Sequence, residues 1–126
     1  MGQTDPQAKA QASLPGVFDH DAALRRLGND TSLLQEMVGF FFNDSPGLLG
    51  QIREGLARTD AKLVERAAHS LKGMASMFDA GRAVAAASAV EELGRAGQLE
   101  QAAKAADRLQ REVEHLTQAM APHRPK

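Results

Sequence analysis

The residues best placed to do chemistry lie in Ala61-Lys-Leu-Val-Glu-Arg-Ala-Ala-His-Ser-Leu-Lys-Gly-Met-Ala-Ser-Met-Phe78, where a histidine is closely followed by a lysine and a glycine. At roughly 100° per helical residue, Val64, Ala67, Leu71, Met74, Ala75 and Phe78 gather within about 40° of the side opposite His69. That stripe is a core face. Lys62, Glu65, Arg66, Lys72, Gly73 and Ser76 fall within about 60° of His69 by the same arithmetic, so the imidazole sits at the centre of a solvent face. A neutral imidazole nitrogen is a nucleophile able to form a covalent intermediate. Lys72 can hold an ammonium above the ring, with Arg66 and Lys62 adding positive potential, which suits a phosphoryl group carried there. Gly73 costs a helix about 1 kcal/mol relative to Ala, and on the exposed side it fills no core. Its bare backbone leaves room beside the imidazole. The plain alternative is a solvated histidine on an ordinary charged face, which Glu65 also populates.

The rest of the composition narrows the chemistry. The chain has 126 residues, 15 basic and 16 acidic side chains, four His and no Cys, Trp or Tyr. Without Cys there are no disulfides, thiolate metal sites, iron–sulfur clusters or Cys nucleophiles. A net charge of -1 and few aromatics offer little to nucleic acid. No apolar run approaches the roughly 20 residues that span a bilayer. The opening Met1-Gly-Gln-Thr-Asp-Pro-Gln has no basic region followed by an apolar stretch, so the expected compartment is the cytoplasm.

The elements that must position His69 are helical. The chain is rich in Ala and Leu, holds a single Ile, and nowhere sustains an alternating pattern. Residues 1–16 read as a flexible arm, 17–120 as the bundle and 121–126 as a frayed tail, because the two ends bury too little to offset their ordering. Asp19 or Asp21 caps a short helix from Ala22 to about Leu27, ended by Gly28-Asn29-Asp30. The next runs over about 31–58, with Ser32 and Gln35 at capping-box spacing. Pro46 lies inside it, yet Leu48, Ile52 and Leu56 keep the phase of Leu34 and Phe41, which predicts one helix kinked at the proline. Asp60 caps a helix over 61–77, Asp79 one over 80–94 ended by Gly94-Arg-Ala-Gly97, and a last helix covers 98–120. The fold class is all-α: an antiparallel up-down four-helix bundle with a short additional N-terminal helix.

Ala68-His69-Ser70-Leu71-Lys72-Gly73, preceded by Asp60 and an apolar helix and followed by Ala75, Phe78 and Ala80, resembles the signature of the histidine-containing phosphotransfer (HPt) domain of bacterial phosphorelays. Phe18-Asp19, Leu24-Arg-Arg-Leu-Gly-Asn-Asp, Leu34, Phe41 and Leu56 extend the resemblance over roughly Val17 to Gln118. One departure is Asp79-Ala80, where such domains usually carry Gly-Ala. The resemblance implies that His69 accepts a phosphoryl group through Nε2 from an aspartate of one receiver domain and passes it to another. Lys72 would offset charge and Gly73 would permit approach. It also implies partners among the receiver domains of response regulators or a hybrid sensor kinase, with Mg²⁺ on the receiver and no cofactor or metal of the chain's own. The chain has no Walker-type or Gly-rich ATP loop, so it is read as a phosphocarrier rather than an enzyme.

The partner surface is expected around His69, using Arg66, Lys62, Ser76, Phe40 and Phe42; the two phenylalanines lie about 100° to either side of Phe41. No feature predicts an oligomer, so a monomer is expected. Two other classes compete. Glu112-Val-Glu-His115 has the Glu-x-x-His spacing of di-iron bundles, but Arg66, Val17 and Met120 stand three residues before His69, His20 and His123, so a second copy is missing. A helical interaction module without phosphotransfer is the other, and the joint presence of His69, Lys72 and Gly73 argues against it.

Overall fold

The computed structural model describes residues 14–125. They form α1 (His20–Arg26), α2 (Thr31–Ala57), α3 (Ala61–Ser76), α4 (Gly81–Arg95) and α5 (Leu99–Met120), followed by a 3-10 turn, Ala121–His123. Helices α2 to α5 pack in chain order and α5 returns to α2, closing a four-helix bundle. The connections are too short for anything but turning each helix back along its predecessor. Among the described residues, no helix is long and apolar enough to cross a membrane.

Aspartates start the first three helices. The carboxylates of Asp19, Asp30 and Asp60 accept from the amides of Ala22, Leu33 and Leu63, giving first-turn N–H groups the partner the helix itself cannot supply. The cap of α1 is therefore Asp19, and the helix opens at His20 rather than Ala22. Asp30 also takes the role the Ser32–Gln35 spacing offered. Helix α2 continues through Pro46, with Phe41 and Ile52 buried on either side of it.

Asp79 does not cap α4. It adopts the left-handed conformation, φ 49°, while the Ala80 N–H returns to the Ala75 carbonyl at 3.4 Å to close the end of α3. Its side chain turns to Arg26 of α1, and α4 opens at Gly81 behind Ala80 with no side-chain cap. The turn that glycine usually makes is thus retained with an aspartate in it. Helix α4 ends at Arg95, inside the expected Gly94-Arg-Ala-Gly97 segment, with Gly97 at φ 73°, and Gly94 serves packing as well. A Cβ there would lie 3.1 Å from Val64 Cγ1 and from the Glu65 nitrogen, and one on Gly55 of α2 only 2.7 Å from Val64 Cγ2. These two glycines let α2 and α4 close on α3 around Val64.

The core holds α3 by one face. Val64, Ala67, Leu71 and Ala75 are buried, and the Phe78 ring meets Phe41 edge to face at 5.7 Å. Burying each such phenylalanine stabilises by about 1.5–3 kcal/mol. Ala83, Ala86 and Ala87 bring α4 close to α3, and this fixes the opposite face outward with His69 on it.

Both ends differ from expectation. Residues 1–13 of the arm lie outside the described residues, but Gly16 is already anchored: its carbonyl accepts from the Arg82 N–H at 2.9 Å, and Val17 and Phe18 are buried. The C-terminal residues expected to fray pack instead. His123 stacks on His20 at 4.6 Å, the Arg124 guanidinium lies 4.1 Å from the centre of the Phe42 ring, and Pro125 rests against Gly39. The tail gains this order from aromatic surface on α1 and α2, which its own composition does not reveal.

Candidate functional site

His69 projects from the outer face of α3 with 67% of its side chain exposed. Its Nδ1 lies 2.7 Å from Oε2 of Glu91 on α4. An ionised carboxylate can only accept, so this contact holds the ring proton on Nδ1 and leaves the lone pair on Nε2. The nucleophilic nitrogen then points away from the bundle.

Glu91 is the anchor of the arrangement. Its side chain is 6% exposed, and a buried carboxylate is tolerated only when paired. Lys72 Nζ lies 2.6 Å from Oε1, and Arg95 Nη2 lies 3.1 Å from Oε2. The Lys72 ammonium holds the Glu91 carboxyl below the usual carboxylate range; burial pushes the other way, and the His69 hydrogen bond adds to the lowering. Arg95 Nε also donates to Glu65 at 2.9 Å, and Glu65 faces Lys62 at 3.9 Å. Lys72, expected to stand free above the ring, is thus tied to the carboxylate on its Nδ1 side.

Gly73 is exposed, and a Cβ built on it would meet nothing within 4 Å. The geometry therefore agrees with open access one turn beyond the imidazole. Ser76 turns its hydroxyl back to donate to the Gly73 carbonyl at 2.7 Å. Lys62 and Arg66 are exposed and share with His69 a depression of about 520 Å³.

Residues 36–119 match the family model of the Hpt domain. The chain belongs to the Hpt domain family. Hpt domains are helical bundles that carry out histidine phosphotransfer in phosphorelays and interact with receiver domains; they are phosphocarriers rather than classical enzymes. The match opens inside α2 and runs almost to the end of α5, so it contains both His69 and Glu91 and leaves α1 outside. No curated protein and no solved structure matches the chain.

In this Hpt domain the two phenylalanines expected at the partner surface separate. Phe40 is 56% exposed and borders a groove of about 490 Å³ whose lining includes Met37, Ser70, Gly73 and Met74, on the His69 side. Phe42 lies about 200° around α2 from it and is covered by Arg124. The C-terminal turn, not a partner, occupies that ring. Glu112 meets Arg82 at 3.0 Å as well as His115 at 3.5 Å, so its carboxylate joins α4 to α5 and is withdrawn from the di-iron alternative.

Reading the sequence from His69 outward missed Glu91. Its signal lies on another helix: Ala83, Ala87, Val90 and Gly94 form the buried stripe of α4, and Glu91, one turn past Ala87, puts a carboxylate into that stripe. A charged residue on a core stripe needs a partner, and here the partners are the two functional candidates of α3.

Proposed function

We propose that this Hpt domain relays a phosphoryl group between aspartates of two receiver domains, with His69 Nε2 as the atom that carries it. The observation supporting the reading best is the 2.7 Å contact between His69 Nδ1 and Glu91, which leaves an outward lone pair on an exposed ring. In the transfer, Nε2 attacks the phosphorus of an aspartyl phosphate, the phosphorus–oxygen bond breaks, and the aspartate leaves as a carboxylate. The ring keeps its Nδ1 proton and becomes cationic, and the adjacent Glu91 carboxylate offsets that charge. The return step reverses this onto a second aspartate.

In this reading Gly73 gives the receiver backbone access, while Arg66, Lys62, Ser76 and Phe40 form the docking rim. Magnesium enters with the receiver, and the domain, having no ATP loop, does not phosphorylate itself. The receivers belong to response regulators or a hybrid sensor kinase. The domain works as a cytoplasmic monomer that engages neither nucleic acid nor membrane.

The test is phosphotransfer from a panel of phosphorylated receiver domains to the native protein and to His69→Gln. Acid-labile, base-stable phosphate is expected on His69 alone. Phosphate on His20, His115, His123 or a hydroxyl instead refutes the assignment. Receiver binding without transfer would favour the interaction-module reading.

A further inference from the structure

Two cations flank His69 along α3, and the structure gives them different surroundings. Lys72 sits with its ammonium 2.6 Å from the buried Glu91 carboxylate, the same carboxylate that receives the Nδ1 proton of His69. Arg66 is exposed and, with Lys62, Arg95 and Glu91 itself, lines the depression beside His69. A lysine that offsets charge on a phosphoryl group has to stand on the Nε2 side of the ring. This one is bound on the other side.

We propose that Lys72 is a positioning residue acting through Glu91, holding the carboxylate where it fixes the His69 tautomer. The inference rests on His69 being the phosphoryl carrier. Glu91 has two oxygens and three neighbours. Oε1 faces Lys72, while Oε2 is shared by His69 and by Arg95. Without Lys72, Oε1 would be a buried anionic oxygen with no cation, and the carboxylate would turn toward solvent or take up a proton. Either change removes the acceptor from Nδ1, and the ring proton becomes free to sit on Nε2. That tautomer is not a nucleophile at the outward position. Lys72 would therefore slow transfer when lost, as a charge-offsetting lysine would, but by changing the imidazole rather than the transition state's surroundings. Arg95 supports Glu91 from the Oε2 side and is itself shared with Glu65, so it cannot replace Lys72 at Oε1.

The two mechanisms separate in nitrogen-15 NMR of His69 in the unphosphorylated protein, together with transfer rates from one phosphorylated receiver. Lys72→Met keeps the aliphatic stem and removes the charge; Lys72→Arg restores the charge; Glu91→Gln keeps an acceptor oxygen but gives Lys72 no ion to hold. Lys72→Met is expected to raise the Nε2–H population and slow transfer about tenfold, with Lys72→Arg close to native in both. In the Glu91→Gln background the further loss on Lys72→Met should stay within about twofold, because two residues acting as one unit are not additive. Arg66→Gln should slow transfer with the native tautomer unchanged, and its effect should multiply with that of Lys72→Met. Native His69 signals in Lys72→Met, or a full loss in the Glu91→Gln background, would overturn the proposal and return Lys72 to the phosphoryl group. Thermal melts identify any variant that unfolds, in which case Lys72→Gln is measured in its place. If no receiver phosphorylates His69 at all, the phosphocarrier reading fails; the tautomer measurement is made without phosphate and stands apart from that result.

Discussion

Gly73 lets stability and function be pushed in opposite directions by one residue. A Cβ at this position meets nothing within 4 Å, so Gly73→Ala introduces no clash. Ala is the better helix former by about 1 kcal/mol, and for a chain of this size the gain corresponds to a melting temperature higher by about 4 °C. Gly55 provides the matched control. Its Cβ would lie 2.7 Å from Val64 Cγ2 and 3.0 Å from the Asp60 carbonyl oxygen. Overpacking of that kind costs about 1–3 kcal/mol, which exceeds the helix gain, so Gly55→Ala should lower the melting temperature. Gly73→Gln should leave stability near native, yet its side chain fills the approach one turn beyond the imidazole. Transfer from a phosphorylated receiver should then fall about tenfold or more, a loss of at least about 1.4 kcal/mol in the productive encounter. Circular-dichroism melts and transfer time courses on the same preparations measure both quantities. Native-rate transfer by Gly73→Gln would refute the access argument, and a lowered melting temperature for Gly73→Ala would refute the reading of open space.

Asp79→Ala should destabilise by about 1–2 kcal/mol in urea titrations, from an alanine forced to positive φ and the lost Arg26 pair, whereas Asp79→Gly loses the pair alone and should stay within about 1 kcal/mol of native. Equal losses would count against the backbone argument. The Glu91 carboxyl is lowered on folding from its ordinary value of 4.5, so its stabilisation is complete above that value and is lost as pH falls through the folded value; the acid limb of the stability profile should flatten in Glu91→Gln. His123 is lowered by burial and then by His20, so the fold favours its neutral form: amide protection of His123 and Arg124 should be full above pH 6.5 and decline below it, and His123→Gln should remove that decline. Phe40→Ala should slow transfer about tenfold with native melting, while Phe42→Ala should loosen the C-terminal turn and leave transfer unchanged.

Periodicity made the helices legible because each buries one stripe, and Asp60 located the start of α3. It placed His69 and Gly73 on the outer face for the same reason. What it could not give were features created by a second helix. Glu91 becomes a partner of His69 only once α4 is laid beside α3, and Lys72 is diverted to it by the same contact. Asp79 looked like a cap because Asp favours that role; the positive φ closing α3 and the proximity of Arg26 overrode the preference. The stop at Gly94-Arg-Ala-Gly97 was legible, but the close approach of Gly94 to Val64 was not, because it depends on where α3 lies. The tail's composition predicts fraying; the rings of Phe18, His20 and Phe42 that receive it are presented by α1, the segment before it and α2.

A relay must release its phosphoryl group as readily as it takes it, and this bears on why one carboxylate should be surrounded so heavily. In the proposed reading Glu91 offsets the positive charge that the ring acquires on phosphorylation, and its cations keep the carboxylate ionised and in place to do so. Lys72 and Arg95 stand at 2.6 and 3.1 Å from the same group and draw part of its charge toward themselves. A neutral acceptor at position 91 would fix the tautomer but give up the charge, slowing acceptance more than donation. The ratio of forward to reverse transfer in Glu91→Gln, rather than either rate alone, is therefore the quantity that reports the carboxylate's charge.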